Sequence, residues 1–119
     1  MSKRIGVVTG GGDCPGLNAV IRGVAGRAHA RGDSEVVGIL NGWEGLMDGR
    51  TMPLTRDAVR GILGRGGTIL GTSRKDPFVH GDGYASVRRT VEANDLDVVV
   101  VIGGDGTLRT ALRLAEDGF

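Results

Sequence analysis

Short apolar runs and helical stripes alternate along this chain, with glycines at their junctions. Residues 5–9 form an apolar run that ends in Gly10-Gly11-Gly12, which reads as a buried strand opening into a loop. A helix is predicted next: Asp13 or Cys14 caps it, Pro15 fits its first turn, and Leu17, Val20, Ile21, Val24 and Ala28 recur on one face until Gly32. Residues 35–40 are a second strand, and the polar, glycine-containing stretch 41–49 is a loop. Thr55 is the predicted cap of a short helix through Leu63 that turns Ala58, Val59, Ile62 and Leu63 inward. Residues 64–75 mix three apolar positions with glycines and hydroxyls and read as an ordered loop around a minimal strand. Val87 and Val91 support a helix over 84–94. Residues 97–102 are the clearest strand, continuously apolar in the manner of an interior parallel strand covered on both faces. Leu108, Ala111, Leu112 and Ala115 then mark a last helix, with Gly118 as its stop.

That order of elements predicts an α/β fold, a doubly wound, mostly parallel sheet with helices on both faces. The chain ends one residue after Gly118, where such a fold normally turns into another strand, so a C-terminally truncated product is expected.

Composition narrows the function classes. Fifteen Lys+Arg balance 14 Asp+Glu for a net charge of +1, and no basic block offers itself to nucleic acid. The longest apolar run, Val98 to Ile102, is far short of the roughly 20 residues that cross a bilayer, and the N-terminus lacks a signal-peptide core. A cytoplasmic protein is expected. The lone Cys14 has no disulfide or metal-cluster partner and reads as a small packing residue. Twenty-three glycines among 119 residues far exceed the usual ~7% and point to tight turns and close backbone approach.

The glycines concentrate where chemistry is expected. Thr9-Gly10-Gly11-Gly12-Asp13 and Ile102-Gly103-Gly104-Asp105-Gly106-Thr107 each leave the carboxyl end of a predicted strand and enter a helix, the place where open α/β sheets bind ligands. Converging N–H groups and the positive end of the helix dipole favour phosphate there. Two tight structural turns are the plain alternative, and neither loop has the P-loop or G-x-G-x-x-G spacing. Asp105, between glycines, suits an Mg2+ ligand shared with substrate phosphates, or a helix cap; Asp13 admits the same two readings. Arg74 and Lys75 follow a Gly-Thr-Ser stretch and either fork onto phosphate oxygens or remain solvated. His29 and His80 have no partners at catalytic spacing, and Thr72 and Ser73 have no visible base.

Taken together, residues 5–22, 65–74 and 102–107 make the chain resemble, over essentially its whole length, the N-terminal part of a bacterial-type 6-phosphofructokinase. The 102–107 loop alone is also similar to that of NAD and diacylglycerol kinases; Asp13-Cys14-Pro15-Gly16-Leu17-Asn18 decides between them. The resemblance implies transfer of the ATP γ-phosphoryl group to the 1-hydroxyl of fructose 6-phosphate, with Mg2+ as cofactor. It implies that Gly12 meets the phosphates through its backbone and that Arg74, with Lys75 beside it, contacts nucleotide phosphate and steadies the transferring group. Gly104, Asp105, Gly106 and Thr107 are implied to hold ATP, with Asp105 on the metal. Gly106 stands where pyrophosphate-using members carry aspartate, which implies ATP as donor. Arg22 matches an arginine that binds a phosphate-bearing effector in allosteric relatives, although its usual companion four residues on is Gly26 here. A homo-oligomer, a tetramer in relatives, is implied for the full-length enzyme. The family's catalytic base belongs to a Thr-Ile-Asp-Asn-Asp motif that this sequence does not contain, so residues 1–119 read as a nucleotide-binding part without its base. A pyrophosphate-dependent enzyme and a non-catalytic nucleotide-binding module are the alternatives.

Overall fold

A computed structural model describes residues 3–11, 16–73, 75–78, 81 and 83–119. Of the residues singled out above, Gly12, Asp13, Cys14, Pro15, Arg74 and His80 lie outside the described residues. The elements run β1 (Lys3–Thr9), α1 (Leu17–Arg31), β2 (Ser34–Ile39), α2 (Gly42–Asp48), β3 (Thr51–Pro53), α3 (Gly83–Ala93), β4 (Val98–Ile102) and α4 (Asp105–Glu116). They build a four-stranded sheet in the order β3-β2-β1-β4. β1 lies parallel to both β2 and β4, with Val8 opposite Ile39 and Thr9 opposite Ile102, whereas β3 pairs antiparallel with β2.

Strand pleating divides the apolar runs between two cores, since successive side chains point to opposite faces. Val7 and Val36 join Ile21, Ala25, Ala28, Leu54 and Leu70 on one side; Val8, Val37 and Ile39 join Trp43, Leu46, Val87 and Leu114 on the other. The α/β fold with helices on both faces is thereby as expected, and the sheet is mixed through the short β3.

Four local expectations give way to tertiary structure. Residues 42–48 are helix rather than loop. Trp43 and Leu46 point inward at helical spacing, but Gly42 and Gly45 obscure the pattern because glycine is a poor helix former. Gly45 is needed there: a Cβ on it would overlap the Leu40 carbonyl. Gly45→Ala is therefore expected to destabilise the fold by about 3 kcal/mol or more, read as a fall in thermal midpoint, through overpacking against rigid backbone. Residues 55–63 form turns instead of a helix. Thr55 Oγ1 does accept from the Ala58 N–H at 3.2 Å, yet Gly61 adopts a left-handed φ of 77° that ends the winding, leaving Leu63 60% exposed while Val59 and Ile62 stay buried.

The buried stripes of two helices also differ from expectation. α1 starts at Leu17 with Gly16 at its N-cap position, and it buries Leu17, Asn18, Ile21, Ala25 and Ala28 while Val20 is exposed. On α4 the inner stripe is Thr107, Thr110 and Leu114, with Ala111 beside it. Leu108 and Leu112 face outward, 50% and 59% exposed. Hydroxyls make the inner stripe look polar, but Thr110 Oγ1 donates to the Gly106 carbonyl at 3.2 Å, and a threonine so bonded is buried at little cost. Within residues 1–119, β1 is the only described strand that pairs with β4, and the five β4 residues are partly or largely exposed.

Candidate active site

The two glycine loops meet at the carboxyl ends of adjacent parallel strands. β1 ends at Thr9 and β4 at Ile102, opposite one another, and the Gly10 N–H donates to the Ile102 carbonyl at 2.9 Å. Thr107 fills the space between the loops. Its side chain is buried so close to Gly10 and Gly103 that a Cβ on either glycine would collide with it. Gly11, at φ 79°, also faces the second loop: a Cβ placed on it would lie 3.6 Å from the Gly104 nitrogen. Absent side chains thus let two backbone segments pack into one platform.

α4 rises from this platform with Gly104 as its N-cap and Asp105 as its first residue. Gly104, Asp105 and Gly106 are exposed, so the first N–H groups of the helix, which have no acceptor inside it, face outward beside a carboxylate. Asp105 therefore does not occupy the cap position. Thr107 is buried, and its side chain is a wedge between the two loops.

A third segment, residues 64–73, reaches the same end of the sheet. The Asn41 N–H donates to the Leu70 carbonyl at 2.7 Å. Gly42, at φ 61°, sits where a Cβ would be 3.1 Å from both the Ser73 nitrogen and the Thr9 carbonyl oxygen. Thr72 and Ser73 thus lie against the end of β1, next to the first glycine loop. Ser73 Oγ accepts from the Lys75 N–H at 3.1 Å, and Lys75 Nζ forms an ion pair with Glu44 at 3.1 Å. Lys75 is accordingly engaged with α2 instead of standing free.

Two further features escaped the sequence. A cleft of about 360 Å3 adjoins the first turn of α4, lined by Gly106, Arg109, Arg113, Phe78 and Asp76 among others, with the Arg113 guanidinium 4.0 Å from the centre of the Phe78 ring. Arg109 and Arg113 follow Asp105 at intervals of four, one stripe of the helix; that spacing was the available signal. Arg22 lies elsewhere, on α1, in a hollow of about 270 Å3 shared with His29, Arg56 and Arg60. His29 Nε2 is 3.0 Å from the Leu54 carbonyl oxygen. Among the described residues there is no cluster of three or more His, Cys, Asp or Glu arranged to hold a metal, and no helix is long and apolar enough to cross a membrane.

Comparison with known proteins agrees with this geometry. The family described as Phosphofructokinase matches residues 4–118. The chain is 52% identical to ATP-dependent 6-phosphofructokinase 3 of Streptomyces coelicolor over 98% of its own length and 34% of the relative's. It is 46% identical to a pyrophosphate–fructose 6-phosphate 1-phosphotransferase of the same organism, over 96% of the chain and 33% of the relative. The crystal structure of Pichia pastoris phosphofructokinase in the T-state superposes with a TM-score of 0.89 at 37% identity, covering 97% of this chain and 12% of that one. The chain spans about a third of the length of the curated relatives it matches. A match of this extent, on a sheet whose glycine loops converge where the family's motifs stand, means that the chain belongs to the phosphofructokinase family.

Proposed function

We propose that residues 1–119 are the nucleotide-binding part of an ATP-dependent 6-phosphofructokinase, a cytoplasmic phosphotransferase of glycolysis that acts as a homo-oligomer, a tetramer as in relatives. The observation that carries this reading is the platform formed by the two glycine loops, with Asp105 and Gly106 exposed at the start of α4. Phosphoryl transfer depends on positioning and on neutralising charge. Gly12, Gly104, Gly106 and Thr107 supply backbone N–H groups to the ATP phosphates, while Arg74, with Lys75 next to it, supplies positive charge to the transferring group. The exposed carboxylate of Asp105 fits Mg2+, which keeps several waters and takes one or two carboxylates together with substrate phosphates, so a cage of protein ligands is not required. When bound, the ion neutralises charge that develops on the phosphate oxygens. In the reaction the bond between the γ-phosphorus and the bridging oxygen breaks, the fructose 6-phosphate 1-hydroxyl oxygen bonds to that phosphorus, and its proton passes to a base. ADP leaves. In the family that base belongs to the Thr-Ile-Asp-Asn-Asp motif, which residues 1–119 do not contain.

Relatives named for ATP and for pyrophosphate are nearly equally similar, so the donor rests on Gly106. A Cβ at Gly106 would meet nothing within 4 Å, and the position needs no left-handed φ, so Gly106→Asp is compatible with the fold. Its carboxylate would stand against donor phosphate, and repulsion at about 4 Å is expected to lower ATP kcat/KM in the full-length enzyme by about 10²-fold. Initial rates with ATP and with pyrophosphate, for both forms, test this; preference for pyrophosphate by the unmutated enzyme overturns the ATP reading.

Arg22 supports a second role, the binding of a phosphate-bearing effector. Its hollow also holds Arg56 and Arg60, so guanidinium charge is present even though Gly26 replaces the family's usual companion.

A further inference from the structure

Residues 64–73 contain no helix or strand, so several of their backbone polar groups take partners from outside the segment. Two buried side chains provide them. Thr9, fully buried at the end of β1, donates its hydroxyl to the Gly71 carbonyl at 2.8 Å and lies 2.9 Å from the Thr68 hydroxyl. Asn18, 1% exposed in the first turn of α1, accepts from the Ile69 N–H at 2.7 Å. Its amide donates to the carbonyls of Arg65 and Gly66 at 3.3 and 3.2 Å. Thr9 immediately precedes the first glycine loop and Asn18 closely follows it. One continuous strip, 65–71, is therefore bonded to the end of β1 and to the first turn of α1.

We propose that Thr9 and Asn18 are positioning residues that lock the 65–71 strip between the end of β1 and the first turn of α1 and so hold Thr72 and Ser73 beside the platform that takes the donor phosphates. This inference rests on the phosphoryl-transfer reading above. Both side chains are buried and bonded on the strip at several points, so the strip has little freedom to slide relative to the loop. The reaction is sensitive to that placement, because a shift of about 1 Å in a reacting group costs on the order of 10²-fold in rate.

Thr9→Val isolates the effect, since valine keeps the shape of threonine, suits a strand and removes only the hydroxyl. In the full-length enzyme Thr9→Val is expected to lower kcat by about 10- to 100-fold while KM for fructose 6-phosphate moves by less than about twofold. The melting temperature falls by no more than a few degrees, the cost of leaving one buried carbonyl without its donor. Thr9→Ser, which restores the hydroxyl, returns kcat to within about threefold of the original value. Asn18→Leu is expected to accelerate hydrogen exchange at the Ile69 amide by about tenfold or more while strands β1 and β2 keep their protection, because that N–H loses its acceptor. Unchanged kcat in Thr9→Val overturns the inference. So does a loss of kcat that Thr9→Ser fails to repair or that comes with unfolding at the assay temperature, and so does an Ile69 amide that exchanges no faster in Asn18→Leu. An unmutated enzyme that transfers no phosphoryl group removes the functional reading, and this one with it; an active unmutated enzyme with a fully active Thr9→Val removes this one alone.

Discussion

Replacing Asp105 with Asn in the full-length enzyme is expected to reduce Mg2+-dependent turnover by about 10²-fold or more, the largest effect of any conservative change on the platform. The reason is positional. Asp105 is the first residue of α4, exposed beside helix N–H groups that have no acceptor within the helix, so its carboxylate is the acidic group of the described platform that can hold a cation against phosphate there. Asparagine keeps its size and its tolerance of the helix start but loses the charge. Because Gly104 occupies the N-cap position, the substitution leaves the helix cap untouched, and the variant should melt near the unmutated enzyme. Initial rates across an Mg2+ titration, beside a thermal melt, check the result. A folded Asp105→Asn enzyme with near-normal rates at every Mg2+ concentration refutes the metal role.

Residues 1–119 expressed alone are expected to show no phosphofructokinase activity above background and at most weak nucleotide binding. In-line transfer requires an acceptor hydroxyl held by the protein and a base to receive its proton. The Thr-Ile-Asp-Asn-Asp motif that carries the family's base is not among residues 1–119. The same chain should associate. β4 offers an unpaired edge with Val98 43% exposed, and Leu108 and Leu112 on α4 are half or more exposed. Size-exclusion chromatography and a coupled ADP-release assay test both statements. A monodisperse preparation that phosphorylates fructose 6-phosphate overturns the argument, since a residue among the 119 would then serve as base.

How far local signals reach is shown by the two strand-loop-helix units. β1 with α1, and β4 with α4, were legible because a continuous apolar run followed by glycines and a helical stripe admits few other local structures. α2 was not legible: its turns contain Gly42 and Gly45, which propensity counts against a helix, and the reason for Gly45 is the Leu40 carbonyl packed against it. The 55–63 segment misled in the opposite direction, since its cap and apolar spacing were right while Gly61 turned the backbone left-handed. In α4 two stripes competed, and the more apolar one faces outward because the bonded Thr110 and the wedged Thr107 suit the crowded glycine platform better than leucines would.

By itself the sequence determined that two glycine loops follow two strands, that the loop carrying Asp105 and Gly106 leads into the last helix, and that the motifs are those of a phosphofructokinase, because these depend on neighbours within a few residues. The tertiary structure decided everything that joins distant segments. It paired β4 with β1, placed Thr107 between Gly10 and Gly103, tied Lys75 to Glu44, gathered Arg56 and Arg60 around Arg22, and hung the 65–71 strip on Thr9 and Asn18. The physical reason is that strand order and side-chain bonding are chosen by packing among segments tens of residues apart. Asn18 bonds to partners 47 to 51 positions away, and no local pattern carries that information.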